Sequence, residues 1–324
     1  IAMHSSPPQA HSQALHVLVA GPLSPDLVSG LDALYETRKL WLEPDQTAFL
    51  QTHGPSVDVL ATSGIFGADE ALMNQLPNLR LIASFGVGTD PIDLDAARAR
   101  GIVVTNTPDV LNECVADTAL GLLLALARRI VQSDRLVRAG EWTAGRKILG
   151  TKLGGKVCGI VGFGGIGREI AKRVTACGMR VAYYGPTRKN DVPYLWYPSL
   201  VGLARDADVL ILSLPGGTAT HHVVDTTVLQ ALGPDGMLVN VARGSVVDEA
   251  ALVSALEQGA IRGAALDVFE HEPEVPSALF SLDNVVLTPH IGSGTSETRE
   301  AMTQLVLANI AAFAAGRPLL SPVR

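Results

Sequence analysis

Three residues in the C-terminal third of the chain have types and settings suited to proton transfer and anion binding: Arg243, Glu272 and His290. Each stands where a short apolar run stops. The runs are Val239-Asn-Val-Ala-Arg243-Gly-Ser245, Leu266-Asp267-Val-Phe-Glu-His-Glu272-Pro273 and Thr288-Pro-His290-Ile-Gly292. In a parallel sheet, such strand ends are where ligands bind. An imidazole can give or take a proton near neutral pH. A carboxylate on its other ring nitrogen fixes the tautomer and stabilises the imidazolium. A guanidinium can hold a substrate carboxylate and polarise an adjacent carbonyl with charge-assisted bonds. Taken singly, each residue also has a structural reading: an arginine capping a sheet edge, a solvated glutamate before proline, one histidine of eight. Their appearance in this order, downstream of the pattern described next, favours chemistry.

That pattern is Val157-Cys-Gly-Ile-Val161 running directly into Gly162-Phe163-Gly164-Gly165-Ile166-Gly167 and an amphipathic helical stretch. GxGxxG between a strand and a helix is the dinucleotide fingerprint. Gly162 permits the tight turn, Gly164 lets a pyrophosphate approach the backbone, and Gly167 lets helix and strand pack closely. The amides of Gly165 and Ile166 would face the phosphates at the positive end of the helix dipole. The next strand, Arg180–Tyr184, is where a carboxylate for the ribose hydroxyls of NAD is expected near the end. Gly185 holds that place, followed by Thr187, Arg188 and Lys189. This departure favours a 2′-phosphate, so NADP(H) is the preferred cofactor and NAD(H) the other possibility. Leu214, Pro215, Val241, Ala242 and Gly292, at or just past later strand ends, are further candidates for cofactor contact, with Phe163, Arg243, Asp267 and His290.

The elements that must position these groups read as alternating strands and helices. His16–Ala20, Val57–Thr62, Arg80–Phe85 and Ile102–Thr105 are strand candidates, with helical patterns such as Ala68–Leu76 and Ile92–Arg100 between them. A long helical pattern runs from Asn112 to about Ile130, and a polar, glycine-containing segment, Ala139–Gly155, follows. A second series then begins: Val157–Val161, Arg180–Tyr184, Val209–Ser213, Met237–Val241, Ala264–Val268 and Val285–Leu287, with helices including Gly165–Ala176 and Glu249–Gln258. A last helix, Ser296–Ala315, comes after the second sheet is complete and is long enough to return to the first. Such alternation predicts an α/β chain with two parallel-sheet domains. The expected division is a discontinuous domain of residues 1–111 and 296–324 around a dinucleotide-binding domain of residues 112–295.

Composition narrows the function classes. With 324 residues there is enough chain for two cores. A net charge of −7 without a basic block excludes a nucleic-acid or anionic-membrane surface, so anionic ligands must be drawn in by particular arginines and amides. The three cysteines, Cys114, Cys158 and Cys177, lack CxxC spacing. They read as buried thiols of a reducing compartment, with no metal site expected. No apolar run approaches the roughly 18 residues of a membrane span, and the first dozen residues lack the apolar core of a secretory leader. A cytoplasmic location is expected.

GxGxxG, then VNVARGSVVDE, LDVFEHEP and TPHIGS, over a match from about residue 17 to the C-terminus, resembles the D-isomer-specific 2-hydroxyacid dehydrogenases, within them most closely the glyoxylate/hydroxypyruvate reductase branch. The resemblance implies Rossmann-like and flavodoxin-like domains, an active-site cleft between them, and a homodimer formed largely through the cofactor domains. It also implies reduction of a small 2-keto acid to the D-2-hydroxy acid, with His290 as proton donor, Glu272 as its partner and Arg243 on the substrate carboxylate. Asp267 would contact the nicotinamide end of the cofactor. In the first domain, Phe85-Gly-Val87-Gly88-Thr-Asp90 follows a strand, and the amides of Val87 and Gly88 could form an anion nest. Ser63 and Gly64, at another strand end, are candidates to line the substrate site. Trp142, in a GxW-like segment, is a candidate to reach a neighbouring subunit's site. Two alternatives stay open: reduction of an aryl-pyruvate or another 2-keto acid, and a nucleotide-sensing, corepressor-like binding role.

Overall fold

The computed structural model describes residues 15–145 and 147–323. The first dozen residues, read above as lacking the apolar core of a secretory leader, lie outside the described residues. The chain divides into two compact units, residues 1–107 with 300–324, and residues 108–299. The expected junctions were 111/112 and 295/296, so the second unit extends four residues further at each end than the helical patterns indicated.

The first unit runs β1 (His16–Val19), α1 (Pro25–Leu34), β2 (Glu36–Lys39), α2 (Gln46–His53), β3 (Val59–Ser63), α3 (Glu70–Asn74), β4 (Leu81–Phe85), α4 (Leu94–Ala99) and β5 (Val103–Thr105). Its five strands are all parallel, in the order β2-β1-β3-β4-β5. That is the flavodoxin-like order, in which the strand sequence reverses beside β1. β3 and β4 are buried along their whole length, as parallel strands covered on both faces must be. Leu18, Leu60, Met73, Leu76 and Ile82 anchor the core.

The second unit contains α5 (Asn112–Ala127), α6 (Ile130–Arg138), β6 (Val157–Val161), α7 (Gly165–Ala176), β7 (Arg180–Tyr184), β8 (Leu195–Tyr197), α8 (Leu200–Asp206), β9 (Val209–Leu212), α9 (Thr226–Leu232), β10 (Met237–Asn240), α10 (Glu249–Glu257), β11 (Gly263–Leu266) and β12 (Val285–Leu287). The sheet order β12-β11-β10-β9-β6-β7-β8 is parallel throughout. It is the Rossmann order with one added strand, and it reverses between β6 and β9. The final helix, α11 (Ser296–Ala314), carries the chain from this unit back to the first.

Several sequence expectations are corrected. β2, a polar edge strand (Glu-Thr-Arg-Lys), and β8, an edge strand of three residues (Leu-Trp-Tyr) and too short to carry a pattern, were not anticipated. The helix expected from Asn112 to about Ile130 ends at Ala127; Arg129 takes a left-handed conformation (φ 54°), and a further helix that was not expected, α6, begins at Ile130. Of the cysteines, only Cys158 is buried; Cys114 and Cys177 are partly exposed. Burial pushes the Cys158 thiol up to about 12, which keeps it protonated and inert.

Helix starts show where the fold spends its side-chain caps. Asp45, Asp69, Asp93, Ser199, Asp225 and Asp248 each accept a hydrogen bond from an amide in the first turn of the helix that follows. These caps satisfy donors that a helix cannot satisfy internally. α7 begins at Gly164 without a side-chain cap.

The return of the chain to the first unit is fixed by Asn309, which is 1% exposed. Its amide donates to the Leu305 carbonyl (3.0 Å) and Ser321 Oγ (2.8 Å), and its oxygen accepts from the amides of Leu320 (2.9 Å) and Ser321 (3.2 Å). Ser321 Oγ in turn donates to the Asn106 carbonyl (2.7 Å). Asn309→Leu fills the space but strands the two amides, at roughly 1–3 kcal/mol for each unsatisfied buried group. The expected result is a lower midpoint for the earliest transition in a thermal or urea melt of the full chain. An unchanged melt would mean that the C-terminal segment is held by packing alone.

Candidate active site

The GxGxxG turn has the backbone that a phosphate cradle requires. Gly162 sits at φ 90°, and a Cβ there would lie 2.7 Å from the Leu214 backbone, so only glycine fits. A Cβ on Gly167 would strike the Gly162 carbonyl oxygen, which brings α7 down onto β6. Ser213 Oγ donates to that same carbonyl (2.7 Å), tying the turn to the end of β9 across the point of strand reversal. At Gly164 and Gly185, by contrast, a Cβ would meet nothing within 4 Å. Open space over Gly164 and an uncapped α7 leave the Gly165 and Ile166 amides presented to a ligand. The residues therefore fit a dinucleotide's pyrophosphate. Phe163 turns inward, packing at a tilt on Tyr183 with ring centroids 4.4 Å apart, so its backbone faces the turn.

The turn after β7 is pinned at both ends. Trp196 Nε1 donates to the Gly185 carbonyl (3.1 Å), and the Lys189 amide donates to the Tyr183 hydroxyl (2.6 Å). Between these ties Thr187 and Arg188 are exposed, and Lys189 is half-buried. The nearby carboxylate, Asp191, is already paired with Arg168 at 2.9 Å. Leu214, Val241 and Ala242 are buried at the ends of their strands, and Pro215 is exposed.

Glu272 and His290 are brought together: Glu272 Oε2 lies 2.7 Å from His290 Nδ1. The other carboxylate oxygen, Oε1, accepts from the Phe269 amide (3.0 Å). This leaves His290 Nε2 as the ring position pointed away from the pair. Burial pushes the Glu272 carboxyl up, but the hydrogen bond and charge of His290 pull it down. The Phe269 amide and the Arg243 guanidinium add to that pull, and the group is held below its ordinary range. Glu272 is thus ionised at neutral pH and suited to support an imidazolium.

Two residues undervalued by the sequence reading position this pair and Arg243. The Asp267 carboxylate is 1% exposed. Its Oδ1 accepts from Thr288 Oγ1 (2.7 Å) and the Ile291 amide (2.8 Å), and its Oδ2 from the Gly292 amide (2.8 Å). The His290 amide also donates to the Asp267 carbonyl (2.8 Å). His290 is thereby held at φ 53°, a conformation uncommon outside glycine. Asn240, 1% exposed, accepts from the Ala242 amide (3.0 Å) and donates to the Arg243 carbonyl (2.9 Å), shaping the turn that carries the guanidinium. Gly244 packs so closely on the Phe269–Glu270 backbone that a Cβ would overlap it. That contact joins the Arg243 loop to the Glu272 loop. A buried polar residue at a strand end was the available signal for Asn240.

In the first unit, Ser63 closes β3, and its Oγ accepts from the Ile65 amide (3.2 Å). Gly86 is held by reciprocal bonds with Thr107: its amide donates to Thr107 Oγ1 (3.1 Å), and its carbonyl accepts the Thr107 amide (2.9 Å). A Cβ on Gly86 would lie 3.9 Å from the Gly64 nitrogen, so the loops after β3 and β4 are neighbours. Among the described residues, the amides of Gly64, Val87 and Gly88 donate to no protein acceptor. Trp142, in the second unit, is 70% exposed.

Comparison with known proteins agrees with this geometry. Residues 120–292 match the family described as D-isomer specific 2-hydroxyacid dehydrogenase, NAD binding domain. The chain is 47% identical to glyoxylate/hydroxypyruvate reductase A of Arabidopsis thaliana over 96% of this chain and 99% of that protein. It is 45% identical to hydroxyphenylpyruvate reductase of Plectranthus scutellarioides, with the same coverage. The structure resembles an NADPH-dependent glyoxylate/hydroxypyruvate reductase from Sinorhizobium meliloti, solved in complex with NADP and malonate. The TM-score is 0.89 and the identity 43%, over 96% of this chain and 97% of that one. The chain belongs to the D-isomer specific 2-hydroxyacid dehydrogenase family, and the cradle after β6 lies in its NAD-binding domain.

Proposed function

We propose that this oxidoreductase reduces a small 2-keto acid, glyoxylate or hydroxypyruvate, to the D-2-hydroxy acid. The observation that carries this reading is the Glu272–His290 pair at 2.7 Å, with Arg243 close enough to influence Glu272 electrostatically. A nicotinamide dinucleotide, its pyrophosphate held by the Gly162–Gly167 backbone after β6, would supply hydride for the carbonyl carbon. His290 donates the proton that the carbonyl oxygen needs, from Nε2, while Glu272 stabilises the imidazolium and holds the ring. In the reverse direction the same nitrogen takes the proton back. Arg243 binds the substrate carboxylate and polarises the carbonyl. The amides of Val87 and Gly88, with Ser63 and Gly64, are proposed to contribute to carboxylate binding. Asp267, by its place just past the end of β11, is proposed to lie at the nicotinamide end of the cofactor.

The preferred cofactor in this reading is NADPH. The open space beyond Gly185 and the exposed Arg188 and Thr187 support it. A carboxylate at Gly185 would repel a phosphate, and none is present. The enzyme is further proposed to be a cytoplasmic homodimer, with Trp142 reaching the neighbouring subunit. The exposure of Trp142, Ile130, Val137 and Leu149 supports a covered surface there. The free cysteines support a reducing setting. Among the described residues, no helix is long and apolar enough to cross a membrane.

The similarity to a hydroxyphenylpyruvate reductase favours aryl-pyruvates as the second substrate class. A panel of keto acids, followed by NADPH consumption, decides between them: kcat/KM is expected to be highest for glyoxylate or hydroxypyruvate. A higher value for an arylpyruvate would shift the assignment to that class. His290→Ala is expected to lower kcat by roughly 10²–10⁴-fold, the usual contribution of a positioned acid, with cofactor binding retained. Near-native turnover would remove His290 from the reaction.

The cofactor preference has its own test. A hydrogen bond to a charged group contributes roughly 1.5–3 kcal/mol, or about 10–150-fold in affinity. Arg188→Ala should therefore lower kcat/KM for NADPH by one to two powers of ten, with little change for NADH. An equal loss with both cofactors would contradict the phosphate-binding role.

A further inference from the structure

Beyond the Glu272–His290 pair, the second unit gathers a different set of histidines around a different carboxylate. His221 and His222 follow the short 3-10 turn Thr218–Thr220. Their imidazoles stack with centroids 3.8 Å apart and planes inclined by 24°. Glu270, in the loop after β11, places Oε1 2.8 Å from His222 Nε2 and 3.5 Å from His221 Nε2. One ligand atom from each of the three residues lies within 4.8 Å of the others, and no other such group occurs among the described residues.

We propose that His221, His222 and Glu270 form a binding site for a divalent transition-metal cation of the zinc class. The donor set, two imidazole nitrogens and one carboxylate oxygen, suits Zn²⁺ and its neighbours, and does not suit the all-oxygen preference of Ca²⁺ or Mg²⁺. Zinc bonds to such ligands at about 2.0–2.2 Å, which sets tetrahedral ligand atoms roughly 3.3–3.5 Å apart. The observed carboxylate–imidazole separations, 2.8 and 3.5 Å, bracket that spacing. The side-chain exposures are graded: Glu270 18%, His222 34% and His221 54%. The carboxylate therefore forms the floor, and the ion enters past His221.

A simple hydrogen-bonded brace between His222 and Glu270 accounts for two of the three residues. It does not account for His221, whose ring lies on that of His222 with its Nε2 turned to the same oxygen. Consecutive residues of an extended chain point to opposite sides. Here His222 adopts φ 51°, and its amide is fixed to the Ser245 carbonyl (2.8 Å), so both rings serve one carboxylate. An ion at this position also ties together two functional loops. Ser245 lies two residues beyond Arg243, and Glu270 follows Phe269, whose amide holds Glu272. No metal site was expected from the sequence; adjacent histidines carry no spacing signal, and the αL turn at His222 and the distant Glu270 bring the set together.

The test is a calorimetric titration of Zn²⁺ into the full chain, stripped with a chelator and kept in a non-chelating buffer, alongside His221→Ala. His221 is the exposed member of the set, so its removal leaves the fold intact, and unchanged circular dichroism verifies this. The expected result is saturable binding of one Zn²⁺ per chain, weakened at least tenfold in His221→Ala. No saturable binding, or a loss smaller than tenfold, overturns the proposal.

Discussion

The second unit's chemistry depends on one buried charge. Asp267 stands just past the end of β11 with its carboxylate almost sealed from solvent. A charge so placed is costly unless its oxygens are occupied. They are occupied by a hydroxyl and two amides, all from the loop after the adjacent strand, β12. β11 and β12 run parallel in register, Leu266 beside Leu287, so the two strand ends deliver carboxylate and loop to the same level. The loop has no choice but to wrap the carboxylate. In doing so it carries His290 into a left-handed conformation and presents its Nδ1 to Glu272. Asparagine at this position would keep the shape but replace one acceptor oxygen with a donor, facing an amide that also donates.

The same economy explains how a chain with net charge −7 binds anions. No broad basic surface is available, so positive potential is supplied locally, by uncapped amides and single guanidinium groups. Six helices take their caps from aspartate or serine side chains, while α1, α5, α6 and α7 have none. At α7, glycine stands in the cap position, and the donors are left facing outward. In the first unit, the Gly64, Val87 and Gly88 amides are likewise left over by the hydrogen bonds that fix Gly86 and Thr107. In each case a bond that would have stabilised the free protein is missing at a place suited to a ligand oxygen.

Much of this was legible in the sequence where local chemistry and global fold agree. β6, β7, β12 and α7 occupy the residues their patterns indicated, because a buried parallel strand must be a continuous apolar run. The motifs around Arg243, Glu272 and His290 were legible as segments at strand ends, and the structure brings Glu272 and His290 within 2.7 Å of each other. What could not be read has a common cause: dependence on partners far along the chain. β2 is a polar edge strand defined only by pairing with β1. The helix break at Arg129 is a single backbone dihedral that no breaker residue announces. Asp267 could be singled out, but its role as the brace of the His290 loop appears only when β11 and β12 are set side by side. Asn240 was passed over as one polar residue in an apolar run, since its partners are its own neighbours' backbone groups.

The central claim is that Glu272 acts on the reaction through His290. A double-mutant cycle on kcat, comparing Glu272→Gln, His290→Ala and the double variant, measures that dependence directly. If the carboxylate works by orienting the imidazole and stabilising its charge, Glu272→Gln alone lowers kcat, and the double variant is no slower than His290→Ala. Losses that multiply, so that removing Glu272 costs the same with or without the imidazole, would show that the 2.7 Å contact is not what makes His290 a proton donor.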